Sequence, residues 1–162
     1  MHPQLGVRGR WFERLPHFRT GFAPATGHEI QSEYLVPADA GGHALEAIAR
    51  LEPRLAPVLH TMEVRSVAAD ACWLSPAFGQ ESVALHFTWL PDQAAVSRAV
   101  DDVEEALGPF HARPHWGKVF HFDPDTVAGL YPRWGDFYRL LDTYDPQGKF
   151  RNTMIDRFFP RH

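Results

Sequence analysis

Two short stretches place reactive side chains next to one another. In Thr61-Met62-Glu63-Val64-Arg65 the two-residue period of an extended chain puts Glu63 and Arg65 on one face, with Met62 and Val64 on the other. An acid and a guanidinium at that spacing can pair with each other, which at a surface is worth little. They can also hold a hydroxyl-rich molecule between them. Val83-Ala84-Leu85-His86-Phe87-Thr88-Trp89 repeats the alternation, with His86 and Thr88 on the polar side and Val83, Leu85, Phe87 and Trp89 on the apolar side. A third stretch, Arg113-Pro114-His115-Trp116-Gly117-Lys118, joins a proline that fixes the chain to a glycine that admits a flat group close to the backbone. Lys118 adds a positive charge beside a tryptophan. The same residues would also make a turn around a buried indole.

Other chemistries fit less well. His111, His115 and His121 raise a metal site, but Pro114 breaks any helical spacing and no carboxylate falls at a ligand-like distance, so no metal is expected. Ser75 and Ser82 lack a Gly-x-Ser-x-Gly context. No Gly-x-Gly-x-x-Gly or phosphate loop occurs. The formal charge of −4 and the lack of a Lys/Arg cluster argue against a nucleic-acid partner. The lone Cys72 excludes an internal disulfide framework and is consistent with a cytoplasmic setting. No apolar run reaches membrane-spanning length, and residues 1–10 lack the apolar core of a signal peptide.

The elements that must position these groups follow from periodicity. A chain of 162 residues, 44% hydrophobic and 22% charged, is expected to form one domain. Residues 1–28 are rich in Gly, Pro and aromatics and are expected to be irregular, with Trp11, Phe12, Phe18 and Phe22 needing a surface to cover. A strand over 29–36 ends at Pro37. A helix over 41–52, capped by Asp39 and stopped by Pro53, carries Ala44, Leu45, Ile48 and Leu51 as its stripe. Strands over 57–67 and 82–90 flank a long loop, 68–80. A helix over 93–107 shows Val96, Val100, Val103 and Leu107 on one side, with Gly108 expected at C′. An extended segment within 111–120 would complete β-α-β-β-α-β. The predicted class is therefore α+β: an antiparallel, ferredoxin-like sheet with both helices on one face, plus C-terminal helices over 125–131 and 134–144. Phe137, Leu140, Leu141 and Tyr144 form the expected stripe of the latter, and the tail is expected to pack through Phe150, Ile155, Phe158 and Phe159. The helix-free face would carry Glu63, Arg65, His86 and Thr88.

Several segments together resemble the C-terminal portion of bacterial alditol (xylitol/sorbitol) oxidases. They are Arg14-Leu15-Pro16-His17-Phe18-Arg19, Gln31-Ser32-Glu33-Tyr34, Glu63-Val64-Arg65-Ser66-Val67-Ala68-Ala69-Asp70, Trp73-Leu74-Ser75-Pro76, His86-Phe87-Thr88-Trp89, the Arg113 to Lys118 stretch, and 141–152. These oxidases belong with the sugar-lactone oxidases, such as D-arabinono-1,4-lactone oxidase, in the vanillyl-alcohol-oxidase type of flavoproteins. The resemblance covers essentially the whole chain. It implies a polyol substrate, FAD as cofactor, and a pocket lined by Glu63, Arg65, His86, Thr88 and Lys118. Arg65, Lys118 and Glu63 would take catalytic roles, and Lys118 with His115, Trp116 and Gly117 would meet the flavin.

The family's flavin-binding domain lies N-terminal to the part matched. The expected organisation is an irregular join at 1–28, a substrate (cap) domain at 29–120, and a C-terminal helical segment at 121–162 that packs on the flavin domain. On that reading the chain alone binds flavin weakly or not at all and is inactive. It would work with a separate flavin-binding domain, and it would self-associate through the surface that domain normally covers. An aldonolactone oxidase domain and a non-catalytic polyol- or sugar-binding module are the alternative readings.

Overall fold

Alternation along the strands decides which residues the helices cover. The computed structural model describes Arg10 and residues 29–161; apart from Arg10, the expectations for 1–28 fall outside the described residues. Strand β1 is Ile30–Pro37, β2 Leu59–Val67, β3 Ser82–Trp89 and β4 Arg113–Pro114. They form one antiparallel sheet in the order β2-β3-β1-β4, the order expected of a ferredoxin-like β-α-β-β-α-β unit. Helices α1 (Gly41–Ala49) and α2 (Glu52–Leu55) connect β1 to β2, and α3 (Gln93–Leu107) connects β3 to β4. Tyr34, Val36, Leu85, Phe87 and Trp89 are fully or almost fully buried with Ala44, Ile48, Val96, Val100, Val103 and Leu107. Each large apolar side chain so buried contributes roughly 1.5–3 kcal/mol. Phe87 and Trp89 stack at 5.2 Å, and the indole N–H donates to Ser32 Oγ at 3.1 Å, so the buried ring leaves no donor unmet.

Helix α3 matches its expected span, and the Asp92 carboxylate caps it by accepting from Ala95 N–H at 3.0 Å. Its buried stripe contains one acid. Glu104 Oε1 accepts from the Tyr34 hydroxyl at 2.7 Å and from His121 N–H at 2.8 Å, and burial pushes the carboxyl upward from its ordinary pKa. Gly41 lets α1 press on the sheet, since a methyl there would lie 2.7 Å from Val83 Cγ2.

Several local expectations are corrected. The expected 41–52 helix divides in two, because Pro53 fits the first turn of α2, where its missing N–H has no partner to lose. Asp39 does not cap α1; it sits in a 3-10 turn, Ala38–Ala40, and the N-cap residue is Ala40. Gly108 keeps right-handed angles and begins a second 3-10 turn, Gly108–Phe110, leaving His111 to take the left-handed conformation at φ 52°. On the helix Trp134–Tyr144, Trp134, Phe137, Tyr138 and Leu141 face inward while Leu140 and Tyr144 are exposed, so the stripe is displaced from the expected one. Phe150 is exposed as well.

Helices α4 (Pro124–Leu130), α5 (Trp134–Tyr144) and α6 (Thr153–Phe158) enclose a second core around Val127, Tyr131, Phe158 and Phe159. It is largely aromatic: Trp134 stacks on Phe159 at 4.2 Å, and Trp116 packs against Tyr131 and Phe158 at 5.5 Å each.

The helix-free face is only half open. Residues 68–81 fold over one end of it, where Ala77 packs on Leu35 and Ala84. Asp70 shapes this loop by accepting from Cys72 N–H at 2.9 Å and the Ser75 hydroxyl at 2.5 Å. Buried Arg113 then ties the loop to β4 and α4. Its Nη1 donates to the Phe78 carbonyl at 2.9 Å and the Pro76 carbonyl at 3.3 Å, while its Nε donates to the Leu130 carbonyl at 2.9 Å. Replacing Arg113 with Ala should therefore cost about 2–4 kcal/mol, because several acceptors lose one shared donor group. Urea unfolding checks this, and Arg113→Lys is expected to restore less than half, since one ammonium cannot span two directions.

Candidate functional site

Strand register assembles the site. On the helix-free face, Gln31, Thr88 and Thr61 form one cross-strand row, Glu33, His86 and Glu63 the next, and Leu35, Ala84 and Arg65 the third. The loop covers Leu35 and Ala84 of the third row and leaves Arg65 half exposed; in the first two rows Thr61 and Glu63 are exposed, Gln31 and Thr88 half-buried, and Glu33 and His86 buried. Lys118 enters from beyond β4, where Val119 N–H bonds the Gln31 carbonyl and His115 N–H bonds the Glu33 carbonyl.

Glu33 is the hub. Its carboxylate is only 9% exposed. Oε1 accepts from Arg65 Nη2 at 3.1 Å; Oε2 contacts the Lys118 ammonium and lies 3.1 Å from His86 Nδ1. Burial alone would raise the Glu33 pKa, but the Lys118 hydrogen bond, the contact with His86 and the charges of Lys118 and Arg65 outweigh it, and the net direction is downward. His86 Nδ1 is also 2.7 Å from Lys118 Nζ, and His86 Nε2 is 3.3 Å from Thr88 Oγ1. Arg65 extends from Glu33 back to Glu63, whose Oε2 lies 3.9 Å from Nη1.

The five residues expected from the sequence to line a pocket, Glu63, Arg65, His86, Thr88 and Lys118, are thus joined through contacts that run by way of Glu33. Glu33 itself escaped the reading of single strands. A strand is expected over 29–36 with no face assigned to Glu33, and only register reveals that it stands beside His86. The groups expected beside a flavin separate. The Trp116 indole donates to the Leu74 carbonyl at 2.8 Å and lies in the aromatic second core. His115 stays exposed, with Nδ1 accepting from Gly117 N–H at 3.0 Å, and burial followed by the nearby Lys118 charge lowers its pKa. Gly117 is exposed, and a methyl on it would meet only the His115 ring. Among the described residues no group of three His, Cys, Asp or Glu side chains could hold a metal ion. His121 Nδ1 instead faces Asp101 Oδ1 at 2.7 Å. No described helix is long and apolar enough to cross a membrane.

A carboxyl with a folded pKa below its ordinary 4.5 stabilises the fold above that value, and the contribution is lost as pH falls through the folded pKa. Acidification below about pH 4.5 should therefore reduce stability, and Glu33→Gln should make that decline shallower. Urea midpoints collected across the acid range check the slope.

The site's relatives are consistent with its chemistry. A family model described as D-arabinono-1,4-lactone oxidase matches residues 25–158. An alditol oxidase of Streptomyces sp. is 51% identical over 152 residues, which is 94% of this chain and 37% of that protein. An L-gulono-1,4-lactone dehydrogenase of Mycobacterium tuberculosis is 33% identical over 130 residues, 78% of this chain and 30% of that protein. The L-gulonolactone oxidase of Mus musculus is 26% identical over 132 residues, 78% of this chain and 30% of that protein. The chain therefore spans 30% to 37% of the length of these relatives. With its sheet, its polar face and all of its second core except Phe159 inside the matched span, the chain belongs to the D-arabinono-1,4-lactone oxidase family.

Proposed function

We propose that this chain is the substrate-binding part of an FAD-dependent oxidase that converts the terminal CH–OH of alditols such as xylitol and sorbitol to the aldehyde. One observation carries the reading: Glu63, Arg65, His86, Thr88 and Lys118 meet on the part of the helix-free sheet face that the loop 68–81 does not fill, with Glu63 and Arg65 reaching solvent. Linear polyols offer hydroxyls that both donate and accept, and this patch supplies both kinds of partner. Arg65 and Lys118 suit an oxygen that becomes negative as its proton leaves. Glu63, exposed beside Arg65, accepts a hydroxyl hydrogen or takes up that proton. His86 and Thr88 suit the hydroxyls further along the chain. The 51% identity to a protein named alditol oxidase favours polyols over lactones.

The donor set fits the ring end of a flavin and not its phosphates. Two cations and an exposed glycine backbone border the patch, whereas the sequence lacks a glycine-rich phosphate turn. Lys118, His115 and the backbone of Gly117 would meet the ring, with Trp116 supporting them from the second core. A bound FAD would supply the two-electron acceptance and its return to oxygen by which an alditol and O2 become an aldehyde and hydrogen peroxide. The phosphate end would be held by a separate flavin-binding domain. Exposed Leu140, Tyr144, Phe150 and Met154 give segment 121–162 an apolar surface suited to packing on it, or on a second copy of the chain when alone.

An aldonolactone substrate is the second reading, favoured by the M. tuberculosis relative's name. Combining the chain with the flavin-binding part of a relative and measuring peroxide distinguishes the two. Xylitol is expected to give peroxide, and Arg65→Ala to lower that rate about 10- to 100-fold, the loss of a charge-assisted hydrogen bond. Peroxide from a lactone alone would replace the polyol reading, and polyol-induced amide shifts without peroxide would leave a binding module. Light scattering on the isolated chain should show self-association that Tyr144→Ser with Phe150→Ser removes; a monomer at high concentration would refute that part.

A further inference from the structure

Two neighbours compete for Nδ1 of His86. It lies 2.7 Å from Lys118 Nζ and 3.1 Å from Glu33 Oε2. A lysine ammonium has hydrogens to give and no lone pair to accept with. A Lys118 bond therefore needs a bare Nδ1, whereas a Glu33 bond needs a proton on it. The two arrangements exclude each other. Across the ring, Nε2 is 3.3 Å from Thr88 Oγ1, which is half-buried on the helix-free face. Whichever group bonds Nδ1 thus decides whether Nε2 donates or accepts there.

We propose that Glu33 is a positioning residue: it holds Lys118 against His86 Nδ1, so that the imidazole keeps its proton on Nε2 and directs it toward Thr88 and a bound hydroxyl. Three observations support this order of bonds. The Lys118 contact is the shorter of the two on Nδ1. The Glu33 oxygens already have cationic donors, Arg65 on Oε1 and Lys118 on Oε2. Lys118 reaches the strands from 85 residues away along the chain, and Glu33 is the carboxylate that draws its ammonium in. Once Thr88 Oγ accepts from Nε2–H, its own hydroxyl hydrogen is free to point outward. The His86/Thr88 end of the patch then reads a substrate oxygen as an acceptor, while Glu63 at the neighbouring strand reads a hydroxyl as a donor.

The inference concerns residues of this chain alone, and its readout is the ring of His86, so it stands or falls independently of the polyol reading. Long-range proton–nitrogen NMR of the 15N-labelled chain near neutral pH tests it. In the wild type, Nε2 should carry the proton and Nδ1 should be bare. Lys118→Met should move the proton to Nδ1, where it now donates to Glu33. Glu33→Gln should release Lys118 and produce a mixture of tautomers; if that variant does not fold, Glu33→Asp, with its carboxylate one methylene further back, carries the same expectation. A wild-type ring protonated on Nδ1 or on both nitrogens would overturn the proposal. So would a tautomer that Lys118→Met leaves unmoved, or one unchanged in a folded Glu33 variant.

Discussion

A carboxylate removed from water must be surrounded by donors, and Glu33 makes that requirement the organising constraint of this molecule. Leaving such a charge unpaired in the interior costs several kcal/mol. Glu33 meets the requirement with cationic donors from β2 and the segment after β4, and its second oxygen also lies 3.1 Å from His86 Nδ1 of β3. The ion pairs do more for geometry than for stability, because desolvation offsets much of their attraction. Three segments distant in sequence are held to one point, and the side chains offered to a ligand are the same ones that satisfy the buried acid.

The surrounding structure leaves the Arg65 and Glu63 side of that point open to solvent. Helices α1 to α3 cover the opposite face of the sheet, and the loop 68–81 covers the Leu35/Ala84 end of this one. Arg113 prevents the loop from sliding further over the polar rows, since its donors are fixed to two loop carbonyls and to α4. The Trp116 indole anchors the turn that carries Lys118 to Leu74 of the same loop. Cover and site are therefore set by a shared group of contacts, in which the second core serves as the foundation.

What the amino-acid sequence made legible was periodic. The two-residue alternation of β2 and β3 assigned Glu63, Arg65, His86 and Thr88 to one face, and the stripe of Val96, Val100, Val103 and Leu107 defined α3 to the residue. Glu33 was harder, because its importance arises from pairing opposite His86, and register is a property of two strands at once. Arg113 was quoted within a motif, yet its work lies in carbonyls supplied by Pro76, Phe78 and Leu130, for which no side-chain pattern exists. The displaced stripe of α5 has a related cause. Tertiary packing around Phe159 chose Trp134 and Tyr138 over Leu140 and Tyr144, which share similar apolarity but face the wrong way.

On the proposed function, one patch of this kind serves both alditols and lactones without a change of fold. On that same reading its fixed members, charges and hydroxyl partners on the strands and on the turn after β4, meet an oxygen bearing a hydrogen next to an oxidisable carbon. Both substrate classes contain that unit. Discrimination between an open chain and a ring must then come from what borders the patch: the reach of the loop 68–81 over the third row, and the exposed turn at His115 and Gly117 on the other side. Those borders are loops, where sequence changes alter shape without disturbing the buried carboxylate at the centre.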